Sequence, residues 1–383
     1  MNPTPPERLD DVAALDAGDP GGMLRAIASS GAQVREAALL AAEAGVSRLA
    51  DDGRPRAVVV VGMGGSAVAG DVLAAVAGPA LPVPLVVHRD FGLPGWVGPM
   101  DLVVAVSCSG ETAETLNALE EAVRRGCRLL VVGREGSPLD DLGQRGRAVF
   151  VPVTQGRQPR ASAWALATPL VVAGHALGLL QAPPEAVEEA AALLEQIADR
   201  CRRDAEHVVN PAKRLAHQLD GALPLVWGTS SLSAVAAARF ASQLNENAHV
   251  AAVPGALPEA GHNQVVVLDG PMAARTVAAG DPDDFFRDRE DDVEQGGSLA
   301  LVVLRDVEEH PVTALRADVC IDLARERSVP VVELRAEGTG RLARLASLVV
   351  VPDFASAYLA LLQGTDPTPV EAIAALKART VRA

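Results

Sequence analysis

The order of apolar and polar positions in the first half of the chain predicts a parallel β-sheet covered by helices on both faces. Short runs rich in valine and leucine recur there between turn residues, and helical patterns separate several of them. Runs of this kind are typical of strands that are buried on both faces of a parallel sheet. The predicted strands are residues 57–61, 85–87, 102–106, 129–132 and 148–153.

The pattern begins again in the second half, which predicts a second domain of the same class. A local echo supports this interpretation, because "VVVVGMGGSAVAG" and "LPLVWGTSSLSAVA" both follow an apolar run with glycine and small or hydroxyl residues. Helices are predicted at residues 24–49, 163–180 and 184–201. The predicted strands of the second domain are residues 223–227, 250–253, 265–268, 299–304, 329–334 and 348–351.

We therefore predict an α/β fold with two domains, each a mostly parallel sheet flanked by helices. The acidic segment 280–297 separates two strand candidates, and we expect a solvated loop or a short helix there. The predicted organisation is a helical region at residues 1–52, a first domain at 53–183, a connecting helix at 184–206, and a second domain with a C-terminal helix at 207–383.

Composition and charge narrow the classes of ligand. The 383 residues are 49% hydrophobic and carry a formal net charge of -15, which is unfavourable for binding nucleic acid or an anionic membrane. Four cysteines are scattered without metal-site spacing, which predicts reduced thiols in a cytoplasmic protein. The N-terminus has no signal-peptide pattern, and no uninterrupted apolar run is long enough to span a bilayer. A small phosphorylated ligand in one local pocket is compatible with this charge.

The turn "AVSCSGETAET", residues 105–115, is a candidate phosphate site. It joins a predicted strand to a predicted helix, and Ser107, Ser109 and Thr112 can donate hydrogen bonds to phosphate oxygens at the helix N-terminus. The turn contains no lysine or arginine, which favours a terminal monophosphate held by neutral donors over a P-loop. Ordinary capping of the helix by Ser109 or Thr112 is the alternative explanation.

A glycine-rich turn after the first predicted strand has two interpretations. "GMGGSA" from Gly62 fits the pattern G-x-G-x-x-G/A, and Asp90 follows the next strand, as in nicotinamide-binding domains. Dinucleotide binding would leave the hydroxyl turn at Ser107 without a task, whereas Ser66 offers a further hydroxyl for a phosphate. We therefore favour the monophosphate interpretation over dinucleotide binding.

Five motifs together resemble a known family. "GMGGSAVAGD", "SCSGETAET", "LNENAH", "PEAGHNQ" and "DPTPVEAIAALK", in this order, resemble the bifunctional phosphoglucose/phosphomannose isomerases of the sugar isomerase (SIS) superfamily. The resemblance extends from about Gly53 onward and implies two SIS domains in a homodimer. It implies interconversion of glucose 6-phosphate or mannose 6-phosphate with fructose 6-phosphate through a cis-enediolate, without metal or other cofactor. The phosphate-binding residues that it implies are Gly64, Ser66, Ser107, Ser109 and Thr112.

The resemblance also implies the groups that would perform the reaction. Glu246 in "NEN" matches the base, His262 in "GHN" the ring-opening histidine, and Lys377 the lysine near the chain end. Arg160 in "QPRAS" resembles the arginine beside the enediolate. The chemistry itself requires a base for the proton that moves between C1 and C2, a ring-opening donor, and positive charge near the oxyanion. Where the family more often has an aromatic residue, this chain has Cys108.

Lysine is rare in this chain, which draws attention to Lys377. Among 34 lysine and arginine residues, lysine occurs only at Lys213 and Lys377. A retained ammonium indicates a place where a guanidinium fails, although chance at an exposed helix position is the alternative.

Two other functions stay open. A non-catalytic sugar-phosphate sensor would keep the hydroxyl turns but could lose Glu246 and His262, and both are present. An isomerase of an amino or deoxy sugar phosphate is also compatible with the sequence. For the expected homodimer, the apolar stretch 163–180 gives additional support if it exceeds what one domain can cover.

Overall fold

Two compact units form the part of the chain that the computed structural model describes, residues 4–273 and 298–380. The first, here called the five-strand unit, comprises residues 26–197 and 336–350. The second, the four-strand unit, comprises the described parts of residues 1–25, 198–335 and 351–383. The domain boundaries given above stay a prediction, and the acidic segment 280–297 lies outside the described residues.

The sheet of the five-strand unit is entirely parallel, with strand order β2-β1-β3-β4-β5. All five strands predicted for this half are confirmed. Every residue of β1 is buried, and so is every residue of β3, because helices cover both faces of the sheet. The strands are β1 (Val58–Val61), β2 (Leu85–His88), β3 (Leu102–Ser107), β4 (Arg128–Gly133) and β5 (Val149–Pro152).

The strand order places a topological switch point between β1 and β3. The chain leaves β1 toward β2 on one side, whereas β3 pairs with β1 on the other, with Val61 opposite Ala105. In open parallel sheets, ligands bind beyond the carboxyl ends of the strands at such a point. The glycine-rich turn after β1 and the hydroxyl turn after β3 both leave the sheet there.

The four-strand unit has a second parallel sheet with strand order β7-β6-β8-β9. The fold class predicted from the sequence is therefore confirmed. The switch point of this sheet lies between β6 and β8, which corresponds to β1 and β3 in the other unit. The strands are β6 (Ala222–Gly228), β7 (Val253–Ala256), β8 (Ser298–Arg305) and β9 (Val331–Arg335).

Two predicted strands of the second half are wrong. Residues 265–268 lie in a 3₁₀ helix, Gln264–Asp269, and residues 348–351 lie inside a long α-helix, Arg341–Leu362. A run of four apolar residues does not by itself distinguish a strand from a helical segment. The strand predicted at 250–253 begins only at Val253.

The helices predicted at 163–180 and 184–201 are confirmed, with differences at their ends. The predicted helical region 24–49 is confirmed as helical but is divided into two α-helices, Met23–Ala28 and Ser30–Glu43, and a 3₁₀ helix, Val46–Ala50. Proline stands in the first turn of several helices, where its missing N–H costs nothing. The described α-helices are α1 (Pro5–Asp10), α2 (Val12–Gly18), α3 (Met23–Ala28), α4 (Ser30–Glu43), α5 (Gly65–Ala77), α6 (Ala113–Arg124), α7 (Pro138–Arg145), α8 (Ala163–Ala176), α9 (Pro184–Arg200), α10 (Pro211–Leu219), α11 (Ser231–Gln243), α12 (Pro311–Glu326), α13 (Arg341–Leu362) and α14 (Glu371–Thr380).

Helix α8 is covered by its own unit. Most of its side chains are buried, and it packs against α4 and α5. The apolar stretch 163–180 therefore gives no support for a subunit contact, which corrects that part of the sequence argument.

One described helix, α13, is long and apolar enough to cross a membrane by length and composition. The mean hydropathy of its most apolar window is 1.9, and 94% of that window is buried inside the protein. Two buried charged residues, Arg344 and Asp353, interrupt the apolar run. These features are typical of a core helix in a globular protein.

Candidate active site

The hydroxyls of the turn after β3 converge at the N-terminus of α6. Ser107 Oγ lies 3.0 Å from Thr112 Oγ1 and 3.5 Å from Ser109 Oγ. The Gly110 N–H donates to Ser107 Oγ at 3.1 Å, which holds the turn closed. Ser107 is buried and Ser109 is exposed, so the cluster reaches from the sheet edge to the surface.

Capping of α6 does not account for these hydroxyls. Thr112 is the N-cap residue, yet its side chain makes no cap hydrogen bond within the described residues and contacts Ser107 instead. Ser109 accepts a hydrogen bond from the Glu111 N–H at 3.2 Å, outside the helix. The arrangement is suited to an anion at the positive end of α6.

The structure brings Ser66 against this turn. The Cys108 N–H donates to Ser66 Oγ at 3.3 Å, which joins the turns that follow β1 and β3. Gly64 precedes α5 with a positive φ of 51°, a conformation that favours glycine. The acidic residue of the nicotinamide interpretation, Asp90, accepts a hydrogen bond from its neighbour, the Phe91 N–H.

The thiol in the turn is poorly suited to nucleophilic chemistry. Cys108 is half-buried, and burial raises the pKa of its thiol above the ordinary value. A thiol that stays protonated near neutral pH reacts slowly. Cys108 is therefore best explained as a small packing residue.

An arginine that sequence reasoning missed lies beside the turn. Arg134 follows β4, the neighbour of β3, and its guanidinium pairs with the Glu111 carboxylate. The one feature of the sequence that could have identified Arg134 is its position as the first charged residue beyond the end of β4. Arg160 belongs to the same unit and is half-buried in the 3₁₀ turn Pro159–Ala161.

Glu246 lies in an irregular extension of α11. After Gln243 the helix widens into a π-helical turn, Leu244–Ala248, which ends at His249 with a left-handed φ of 56°. Glu246 is half-buried, whereas Asn247 is fully buried. Short π-helical turns are rare and occur frequently at functional sites.

His262 lies in a firmly anchored turn. It is exposed at the end of the 3₁₀ helix Glu259–His262, with its Nε2 3.4 Å from Arg316 Nη1. Gln264 fastens the turn to the sheet, because it accepts from Trp227 Nε1 at 2.6 Å and donates to the Pro254 carbonyl at 3.1 Å.

The two lysines have different surroundings. Lys377 is exposed on α14, where every described side chain is exposed. Lys213 is buried, and its ammonium donates to Asp10 Oδ1 at 3.2 Å and to the Arg203 carbonyl at 2.8 Å. Retention of lysine at one of the two positions thus has a structural cause, and rarity alone does not assign a role to Lys377.

The candidate residues divide between the units. Glu246, His262 and Lys377 belong to the four-strand unit, and Arg160 belongs to the five-strand unit with all the candidate phosphate-binding residues. Their roles in binding and catalysis remain predictions.

Comparison with known proteins decides the family. Residues 208–380 match the model of the bacterial phospho-glucose isomerase C-terminal SIS domain. A bifunctional phosphoglucose/phosphomannose isomerase from Caldicellulosiruptor bescii is 31% identical over 320 residues, which are 84% of this chain and 88% of that protein. The chain belongs to this family. A relative of the same name from Aquifex aeolicus is 29% identical over 84% of this chain and 89% of its own length.

Solved structures support the fold of this phosphoglucose/phosphomannose isomerase family member. A hypothetical protein from Thermus thermophilus aligns with a TM-score of 0.69 at 16% identity, over 98% of this chain and 93% of its own. At that identity the likeness concerns the fold alone.

The second hydroxyl loop of this isomerase family member is already bound to its own carboxylates. At the switch point of the four-strand unit, Thr229 Oγ1 donates to Glu309 Oε1 at 2.8 Å and Ser230 Oγ donates to Asp306 Oδ2 at 3.0 Å. Arg305 donates to both oxygens of Glu309, at 2.8 and 2.7 Å, and so holds it in place. The echo seen in the sequence is therefore structural, but the second copy of the loop holds internal anions.

The described residues contain no cluster of side chains that is suited to bind a metal ion. Among residues 4–273 and 298–380, no group of three or more histidine, cysteine, aspartate or glutamate side chains is placed to hold a metal ion. Metal independence stays a prediction for the activity assay.

Proposed function

We propose that this chain interconverts glucose 6-phosphate, mannose 6-phosphate or both with fructose 6-phosphate. The observation that carries the proposal is the hydroxyl cluster at the β1/β3 switch point. The chain that contains it belongs to the family of bifunctional phosphoglucose/phosphomannose isomerases. Such a cluster, at a helix N-terminus, suits a terminal phosphate.

The proposed mechanism assigns one task to each group. Ser66, Ser107, Ser109 and Thr112, with the backbone at Gly64, bind the phosphate and thus orient the sugar. His262 donates a proton to the ring oxygen as the ring opens. Glu246 removes the proton from C2 and returns it to C1, or the reverse, through a cis-enediolate. Lys377 and Arg160 stabilise the negative charge that develops on the enediolate oxygens.

A coupled assay tests the activity. We expect turnover of glucose 6-phosphate or mannose 6-phosphate to fructose 6-phosphate at the same rate with and without a chelator, because every proposed group belongs to the protein itself. Glucosamine 6-phosphate serves as the comparison substrate.

Three results would contradict the proposal. Complete loss of activity with the chelator would refute the metal-free mechanism. Binding of the hexose phosphates without turnover would favour a sensor, and turnover of the amino sugar alone would favour the other isomerase class.

We infer that the protein acts as a homodimer. The inference rests on the family, and exposed apolar side chains of α12, Val312, Leu315 and Val319, give additional surface that a second copy could bury. Light scattering at assay concentration should give twice the mass of the chain, 39.5 kDa. A fully active monomer would refute the inference.

We also infer a cytoplasmic location. All four cysteines are free thiols, as expected in a reducing compartment.

A further inference from the structure

A buried polar network lies directly behind the turn that carries Glu246. The Asn247 side chain is fully buried, and its Nδ2 donates to Gln243 Oε1 and to Ser356 Oγ, both at 2.9 Å. Ser356, also fully buried, donates to the Asp353 carbonyl at 2.7 Å. A hydroxyl of α13 thus ties the residue next to Glu246 to the core of the four-strand unit.

A buried ion pair also joins α11 to α13. Arg239 of α11 donates to Asp353 Oδ2 from Nη2 at 2.7 Å and from Nε at 3.2 Å, and both side chains are about 5% exposed. Burial raises the pKa of Asp353, and the nearby guanidinium opposes that rise. Buried pairs of this kind contribute little net stability, but removing one partner is costly, so the pair holds α11 and α13 in one arrangement.

The spacing along α11 explains why the network acts on Glu246. Arg239, Gln243 and Asn247 are four residues apart and lie along one buried face. Glu246 immediately precedes Asn247 and is half-buried, so its side chain leaves the turn in a different direction. Fixing Asn247 therefore fixes the direction of Glu246.

The turn itself needs this support. A π-helical turn is rare, and this one ends at His249 in a left-handed conformation that non-glycine residues seldom adopt. A buried, satisfied hydrogen-bond network is one way to hold such a turn in a single conformation.

We propose that Asn247 and Ser356 are positioning residues for Glu246. The inference rests on the proposed function, in which Glu246 moves the proton between C1 and C2. A base displaced by about 1 Å loses much of its effect on the chemical step, while the binding of a substrate held by its phosphate changes little.

The test replaces Ser356 with alanine and compares it with a matched control. Ser347 is another buried serine of α13, which donates to the Arg344 carbonyl at 2.8 Å and accepts from the Glu337 N–H at 2.8 Å, away from the turn. We expect Ser356→Ala to lower kcat about tenfold with KM unchanged, as the loss of one buried hydrogen bond allows. Ser347→Ala should leave both constants unchanged, although each variant loses stability.

Hydrogen exchange of the peptide that contains residues 244–250 gives a readout independent of turnover. We expect faster exchange in Ser356→Ala and wild-type exchange in Ser347→Ala. Unchanged kcat and exchange in Ser356→Ala, or equal losses in both variants, would overturn the inference. A wild-type protein without isomerase activity would instead refute the proposed function. Faster exchange in Ser356→Ala but not in Ser347→Ala would then still support the inference that Ser356 stabilises the π-helical turn.

Discussion

Replacing Glu246 with glutamine is expected to lower kcat by on the order of 10²–10⁴-fold, the usual loss when a general base is removed. The amide keeps the shape and hydrogen-bonding reach of the carboxylate but cannot accept the proton from C2. The hydroxyl cluster that is proposed to bind the phosphate is unchanged, so KM should stay about constant. Steady-state kinetics on both hexose phosphates measures the two constants separately.

Glu259→Gln is the matched control for this experiment. Glu259 lies in the turn before His262, where it accepts a hydrogen bond from Asn263 Nδ2 at 3.0 Å, and it is the next candidate for the base. A substrate that cannot cyclise should not restore Glu246→Gln, because ring opening is not the step that the variant loses. Near-normal turnover in Glu246→Gln together with a large loss in Glu259→Gln would transfer the role of base to Glu259.

Replacing Gly110 with alanine is expected to weaken phosphate binding. Gly110 has a positive φ of 70°, and an added Cβ would overlap the buried side chain of Ser137. Strain of about 1–2 kcal/mol and overpacking of about 1–3 kcal/mol must then move the turn, along with the hydroxyl of Ser107 that the Gly110 N–H holds. Loss of one hydrogen bond to a charged phosphate should raise KM roughly 10- to 100-fold.

Gly126→Ala is the control that separates the effect of backbone strain from the effect of steric overlap with a neighbouring side chain. Gly126 lies beyond the other end of α6 with a φ of 68°, and a Cβ added there meets no described atom within 4 Å. This variant should therefore lose about 1–2 kcal/mol of stability and keep its KM. Thermal unfolding and calorimetric titration with inorganic phosphate measure the two effects. Equal phosphate affinity in Gly110→Ala and the wild type would refute the proposal that this turn binds the phosphate.

The sequence is most informative where burial makes a strand apolar along its whole length. The runs around Val59 and Val104 lie in the middle of a sheet covered on both faces, so strand type and order of elements were predictable. The run 348–351 is equally apolar, but the surrounding core accommodates it as helix even with Pro352 inside the helix. Local propensity is weak against tertiary packing of this kind.

The candidate site shows the same division. The hydroxyl turn is a local feature, so the residues around Ser107 could be selected from the sequence alone. The contact of Asn247 with Ser356 joins positions 109 residues apart, and that of Arg134 with Glu111 joins two different strand ends. Such contacts depend on the register between elements, which a single sequence does not determine.

The carboxylates of Asp306 and Glu309 make the two halves of the chain unequal. Duplication of a phosphate-binding unit would at first create two equivalent sites in one polypeptide. In this chain the second loop donates its hydroxyls to side chains of its own unit, so negative charge from the protein stands where a ligand's charge would otherwise be. A side chain of the protein, unlike a ligand, is present at any ligand concentration. The loop of the second half therefore needs no phosphate for its hydroxyls, and the expected stoichiometry is one sugar phosphate for each chain.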